Sequence, residues 1–412
     1  MEIRRLLHYL FLLTVLGSSC GRTTLDPPTT HSTGSSSVPT QVRRCRQQVS
    51  MRLVATYPND MAETPVLADF DQDGILDLLV RTTGDAGSTE STETISLLGG
   101  RGDGTFVARN SFPTSFLQPF DAVAADLNHD QIPDIISKGP LGSFVVRLGQ
   151  GDGSFAEERT IPGVSSPSEF DSSTILVADF DKDGSLDVAI ASQPNQFASV
   201  LRGHGDGTFF DQQDYSISGF PSGVTIQVHP PEFGKFLLTD WNADGIPDLV
   251  AANNYLHLLL GTGGGHFSDA LHCSIEVSLT SEGSFPSLVV SDFDDDGRTD
   301  IATKDGALFG MNGCNFAKAI KFDVPNGQAA PIAAGDFNGD GAKDLVLSTW
   351  DGLELLIADG KGAFGQTVML VPFPDWNSSD TKAITGDLDG DGRLDLIVVD
   401  AWATRVFLNT CQ

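Results

Sequence analysis

A nine-residue stretch built on aspartate recurs seven times along this 412-residue chain, and it limits what the chain can fold into more than any other feature. The first copy runs Asp69-Phe70-Asp71-Gln72-Asp73-Gly74-Ile75-Leu76-Asp77. The others begin at Asp126, Asp179, Asp240, Asp292, Asp336 and Asp387. Positions 1, 5 and 9 are Asp in every copy, and position 3 is Asp or Asn. Position 2 is Phe, Leu or Trp, and an aliphatic residue follows position 9. Position 6 is Gly in six copies and Gln131 in the second.

This spacing suits a hard cation. Side chains at 1, 3, 5 and 9, with the carbonyl of residue 7, converge when the loop turns tightly, and Gly at position 6 permits that turn. Oxygen-only donors select Ca²⁺ over softer metals. The expected side-chain ligands are Asp69, Asp71, Asp73 and Asp77, then Asp126, Asn128, Asp130 and Asp134, then Asp179, Asp181, Asp183 and Asp187. They continue as Asp240, Asn242, Asp244 and Asp248, then Asp292, Asp294, Asp296 and Asp300. The last two sets are Asp336, Asn338, Asp340 and Asp344, and Asp387, Asp389, Asp391 and Asp395. Asp and Gly also fill ordinary exposed turns. Ordinary turns do not require Asp at three fixed positions seven times over. Up to seven ions are expected, with a structural role.

The charge balance fits. Asp and Glu number 55 against 25 Lys and Arg, a net charge of −30, and seven divalent ions would cancel about half of it. The remainder excludes nucleic acid or an anionic membrane surface as a natural partner.

The N-terminus reads as an export signal. Arg4 and Arg5 precede the mostly apolar Leu6 to Leu16, a run too short to span a bilayer. Gly17, Ser18 and Ser19 then lead to Cys20. The arrangement resembles a bacterial lipoprotein signal, which implies removal of residues 1–19 and lipidation of Cys20; the usual Leu three residues before the Cys is here Gly17. The alternative is an ordinary secretory signal. Residues 20–50, rich in Ser, Thr and Pro, cannot bury a core and read as a tether. The expected location is the cell envelope or surface, with contact to the membrane only through the lipid, or secretion if Cys20 is unmodified.

From Met51 to Gln412 the text is strands and turns. In the first unit Pro65 to Ala68 enters the Asp loop, Asp77 to Thr82 leaves it, and Thr94 to Leu98 and Phe106 to Phe112 follow around a Gly102-Asp103-Gly104-Thr105-Phe106 hairpin. The hairpin recurs at Gly151 to Phe155 and Gly205 to Phe209, and more loosely at Gly263, Gly313 and Gly360. Four strands at a period of about 50 residues, with no helical periodicity, make a propeller blade. The expected fold is all-β, a seven-bladed β-propeller of four-stranded blades. The seventh unit lacks its fourth strand, and Met51 to Tyr57 supplies it from the other end, closing the ring. Without Cys20, four cysteines remain and allow three pairings. Cys411 at the truncated hairpin and Cys45 before the closing strand suggest a Cys45–Cys411 bond, which leaves Cys273–Cys314.

The loop, the aliphatic strand after it and the GDGTF hairpin together resemble FG-GAP/VCBS repeats, the blades of integrin α-subunit propellers and of many bacterial surface proteins. The resemblance covers Met51 to Gln412 and implies calcium between the first and second strands of each blade. The departures are Gln131 in blade 2, the Cys314 hairpin in blade 5 and the absent hairpin Phe in blade 7. Integrins carry such loops in only some blades; here all seven have one.

No catalytic constellation stands out. The single G-x-S-x-G lies at Gly17 to Gly21 inside the export signal, the His residues are scattered, and there is no HExxH or P-loop. The face away from the calcium loops should carry Tyr255, Trp350, Trp376 and Trp402, with Asp351, Asp375 and Asp400 nearby in sequence. Exposed Trp beside carboxylates suits sugar rings or peptide side chains, so Trp350, Trp376 and Trp402 are the candidate ligand face. The bland reading packs each Trp over its own blade; Trp241, inside an Asp loop, is core. The resulting expectation is a calcium-binding surface module for adhesion to a protein or glycan. The alternatives are a carbohydrate-active lyase or hydrolase and a structural part of an envelope assembly.

Overall fold

The structure, a computed structural model, describes residues 49–58, 65–82, 94–113, 122–138, 143–161, 174–192, 197–210, 212–216, 235–252, 256–268, 271–273, 288–311, 313–317, 320–322, 329–372, 381–400 and 403–410. Among these residues all regular structure is strand, and no helix is long and apolar enough to cross a membrane. Cys20, Cys45, Cys411, Tyr255, Asp375, Trp376 and Trp402 lie outside them.

Each blade is an antiparallel meander. Blade 1 orders Val66–Ala68, Asp77–Thr82, Thr94–Gly100 and Phe106–Pro113. Blades 2, 3, 4 and 6 repeat that order, beginning at Ala122–Ala125, Thr174–Ala178, Lys235–Thr239 and Ala329–Gly335. The second strand of each blade reads as an uninterrupted apolar run because both faces of the sheet are covered. In blade 6 the alternate residues Leu345 and Leu347 pack toward blade 5, while Val346 packs toward blade 7. Blade 5 differs. Its sheet holds three strands, Leu288–Ser291, Asp300–Thr303 and Gly306–Leu308, and the expected fourth is reduced to bridges from Gly310 to Phe316 and from Ala307 to Ile320. Only 44 residues separate Asp292 from Asp336, the shortest interval between loops, so blade 5 has the least chain from which to build that strand.

The ring closes as the sequence implies. Met51–Pro58 pairs antiparallel with Ala403–Asn409, from Met51 against Asn409 to Pro58 against Ala403, and completes the blade begun by Lys382–Gly386 and Asp395–Val399. Thr410 N–H donates to the Ser50 carbonyl at 2.8 Å. Seven apolar clusters fill the seven interfaces between neighbouring blades. One joins Phe70 and Leu79 of blade 1 to Ile135 of blade 2. Another joins Leu78 and Phe106 of blade 1 to Ile397 and Val406 of blade 7, so the first and last blades seal against each other.

Candidate metal centres

In blades 1, 3, 4 and 5 the aromatic at position 2 anchors the loop to the next blade. Phe70 meets the hairpin Phe155 of blade 2 edge-on at 5.5 Å between ring centres, and Phe180–Phe267, Trp241–Phe316 and Phe293–Phe364 repeat the contact at 5.3, 5.6 and 5.5 Å. Trp241 is 2% exposed, as expected of core, and its Nε1–H donates to the Gly313 carbonyl at 2.9 Å. The hairpin also bonds back: Gly153 N–H donates to the Phe70 carbonyl and Gly207 N–H to the Leu127 carbonyl. The FG-like hairpin is therefore a blade-to-blade lock. Blade 7 has no hairpin Phe. There Asn409 Nδ2 donates to the Phe337 carbonyl of blade 6 at 2.8 Å instead.

The loop itself is ordered by its own carboxylates. Position 1 accepts at least twice in every blade: in blade 1, Asp69 Oδ1 takes Asp73 N–H at 3.0 Å and Oδ2 takes Gly74 N–H at 2.9 Å. Asp73 Oδ1 accepts from Ile75 N–H at 2.9 Å. These bonds need two residues in the left-handed region. Position 6 was expected there, and Gln131 adopts it, with φ 69°, rather than distorting the turn. Position 4 was not foreseen. It is left-handed in all seven blades, at Gln72, His129, Lys182, Ala243 and Asp295 and then at Gly339 and Gly390. Nothing in the residue types of blades 1–4 marks that position, because only the fold imposes it.

Position 9 has a second role that the spacing did not reveal. Asp77, Asp134, Asp187, Asp248, Asp300, Asp344 and Asp395 are all fully buried. In each, one oxygen accepts from the position-2 N–H and the other from a backbone N–H at the end of the third strand. Asp187 takes Phe180 N–H and Gly203 N–H, both at 2.8 Å, and Asp395 takes Leu388 N–H and Asn409 N–H, both at 2.7 Å. This carboxylate clasps three strands of its blade as well as facing the loop. Burial pushes its pKa up to about 6 in blades 1–3 and about 7 in blades 4–7.

The donor set fits a hard divalent ion. Oxygens of Asp69, Asp71 and Asp77 lie within 4.8 Å of one another, as do those of Asp179, Asp181 and Asp187. The same spacing holds for Asp292, Asp294 and Asp300 and for Asp387, Asp389 and Asp395. Only carboxylate oxygens gather there, hard donors that are compatible with Ca²⁺. In blades 2, 4 and 6 position 3 is an amide. Its oxygen accepts the position-5 N–H, and its Nδ2 donates to the position-5 carboxylate, as from Asn128 to Asp130 at 2.9 Å.

Cys273 and Cys314 form the disulfide that elimination left, tying blade 4 to the blade 5 hairpin. On the opposite face Trp350, in the turn between the second and third strands of blade 6, is 53% exposed. Asp400 is 5% exposed and paired with Arg405, so it does not stand open beside an aromatic. Behind the Trp350 turn lies Glu354, missed in the sequence because it interrupts an apolar run. It is 1% exposed, takes a hydrogen bond from Thr349 Oγ1 at 3.1 Å, and burial raises its pKa.

No curated protein matches the chain in sequence. Solved structures resemble it in fold. An Agrocybe aegerita lectin that recognises non-reducing terminal N-acetylglucosamine is 17% identical with a TM-score of 0.56, covering 82% of this chain and 86% of that one. The BP39L lectin of Burkholderia pseudomallei is 12% identical with a TM-score of 0.54, covering 85% and 96%. BBS1N, solved in complex with ARL6DN, is 9% identical with a TM-score of 0.55, covering 88% and 98%. The profile of the FG-GAP-like repeat matches residues 69–137, 240–303 and 336–398, three stretches that each span an Asp loop and the strand after it. With those repeats set in a closed ring of seven blades, the chain is an FG-GAP-repeat β-propeller.

Proposed function

We propose that this chain is an exported calcium-loaded propeller, anchored by lipid on Cys20 and held off the membrane by residues 20–50, that binds a glycan or protein as an adhesion module. The division of labour between its two ends carries the reading. One end gathers oxygen-only loops in every blade, which suits ions that stiffen the scaffold. The other end presents side chains free of that duty, with Trp350 largely open to solvent. A wide apolar ring standing out of the surface is what a sugar face or a peptide side chain packs against. The lectins of similar fold agree with a glycan, and BBS1N agrees with a protein. Trp376 and Trp402 complete the proposed ligand face.

Glycan and protein arrays probed with residues 20–412 test this. Binding to one class, lost in Trp350→Ala while the melting temperature holds, is the expected result. Retained binding in Trp350→Ala overturns the assignment of that face. Cleavage of a bound glycan would move the protein to the carbohydrate-active enzymes.

A further inference from the structure

Among the described residues, every loop with Asp at all four ligand positions is faced by an arginine, and the three loops with Asn at position 3 are not. In blade 1 Arg109, on the fourth strand, pairs with Asp71 and reaches within 3.6 Å of Asp73. In blade 3 Arg202, ahead of the hairpin, stands 3.6 Å from Asp181, with its guanidinium carbon 4.9 Å from the centre of the Phe210 ring. In blades 5 and 7 the arginine is position 7 of the loop: Arg298 lies 2.8 Å from Asp296, and Arg393 pairs with Asp391. Among the described residues, no ion pair reaches the ligand carboxylates of blades 2, 4 and 6. There the asparagine amide donates to the position-5 carboxylate at 2.9, 3.0 and 3.1 Å.

The arginines come from three different places in the repeat, so copying of one blade does not explain them. What they share is the fourth carboxylate. Counting carboxylates and arginines alone, an Asp loop with one arginine and an Asn loop with none both come to three net negative charges at the ligand positions; blade 4 also has Lys182 Nζ 3.5 Å from its Asp244 carbonyl. We propose that the four arginines are built-in counter-cations. They share the loop with a divalent ion, lower its affinity for the all-Asp sites, and bring all seven sites toward one strength. The formal charges alone rank the all-Asp loops first. The inference rests on the calcium reading above, with residues 20–412 as the working protein.

A unit positive charge about 6 Å from a divalent ion in a water-like dielectric weakens binding by up to about tenfold. Arg298→Gln, and a fourfold variant with Arg109, Arg202, Arg298 and Arg393 all changed to Gln, are titrated with calcium chloride by calorimetry and melted in a chelator. Arg159→Gln, on the exposed outer strand of blade 2, serves as control. The expected result is calcium binding tightened about 3- to 10-fold at each altered loop. In the chelator the variants should melt earlier than the parent, and the loss should shrink at about 1 M salt, where screening falls to about 3 Å. Arg298→Lys should restore the parent's behaviour, and the control should match it. Arg298→Gln and Arg109→Gln singly carry the same comparison if the fourfold variant does not fold. Calcium affinity that is unchanged or weaker in the Gln variants overturns the inference and leaves the calcium reading standing. A parent protein that takes up no calcium overturns both.

Discussion

Asp181 and Asp187 belong to one loop of blade 3 and share a side chain, yet they sit in different surroundings. Asp187 is fully buried, and both its oxygens are taken by backbone N–H groups from separate parts of the blade. Asp181 accepts one N–H from Asp183 at 3.0 Å, four atoms of backbone away, and turns its other oxygen toward Arg202. The first carboxylate belongs to the sheet; the second belongs to the loop. In a repeat of this kind position 9 therefore does two jobs, clasping the sheet and lining the candidate metal site beside positions 1 and 3, while position 3 belongs to the loop alone. Substitutions at the two positions should fail in different ways.

The largest effect should come from the buried position. Asp187→Ala strands two buried N–H groups, each costing about 1–3 kcal/mol, so a loss of about 3–5 kcal/mol is expected. That loss should already appear in chelator, by denaturant unfolding, and loss of a candidate donor should add to it in calcium. Asp181→Asn should leave stability in chelator nearly unchanged while weakening calcium binding. If both substitutions act only when calcium is present, this description fails.

A middle-sized effect is expected from pH. Burial raises the position-9 carboxyl from the ordinary carboxylate value of 3.8 to about 6 or 7 in the folded chain. A raised folded pKa adds stability that is complete below the unfolded value and is lost as pH rises through the folded one. In chelator, the melting temperature should fall between pH 5 and pH 8 on that account. Calcium should flatten the fall, because a bound cation favours the ionised carboxylates. A melting temperature in chelator that rises over this range would contradict the buried-clasp account.

The smallest effect concerns the backbone. Gln131 holds φ 69° where six other loops place Gly, a conformation that costs a side-chain-bearing residue roughly 1 kcal/mol. Gln131→Gly should raise stability by about that amount and tighten calcium at blade 2. Unchanged melting and unchanged binding would mean that position 6 does not limit the site. Gln72 Nε2 donates to the Gln131 carbonyl at 3.1 Å, a contact from the neighbouring loop that survives the change.

Much of the fold was legible because it repeats. Seven Asp loops fix seven blades, the apolar runs after them fix second strands, and the missing last strand points to Met51–Pro58. The candidate metal donors were legible for the same reason, since positions 1, 3, 5 and 9 recur in register. The arginines were not. Arg109, on the fourth strand, and Arg202, just past the third, reach their loops from positions distant in sequence, and Arg298 and Arg393 look like ordinary polar residues at a variable position.

The sequence by itself determined the repeat, its donor atoms and the closure of the ring, because each depends on residue type at a fixed spacing. Only the tertiary structure decided what each donor atom is used for. Asp77 and Asp71 are the same letter in the same loop. The fold buries one against two backbone N–H groups and leaves the other facing Arg109, because the third strand and the hairpin arrive from 20 or more residues downstream. It likewise forced position 4 into a left-handed turn without regard to its side chain, since the carboxylate at position 1 must reach the N–H groups of positions 5 and 6.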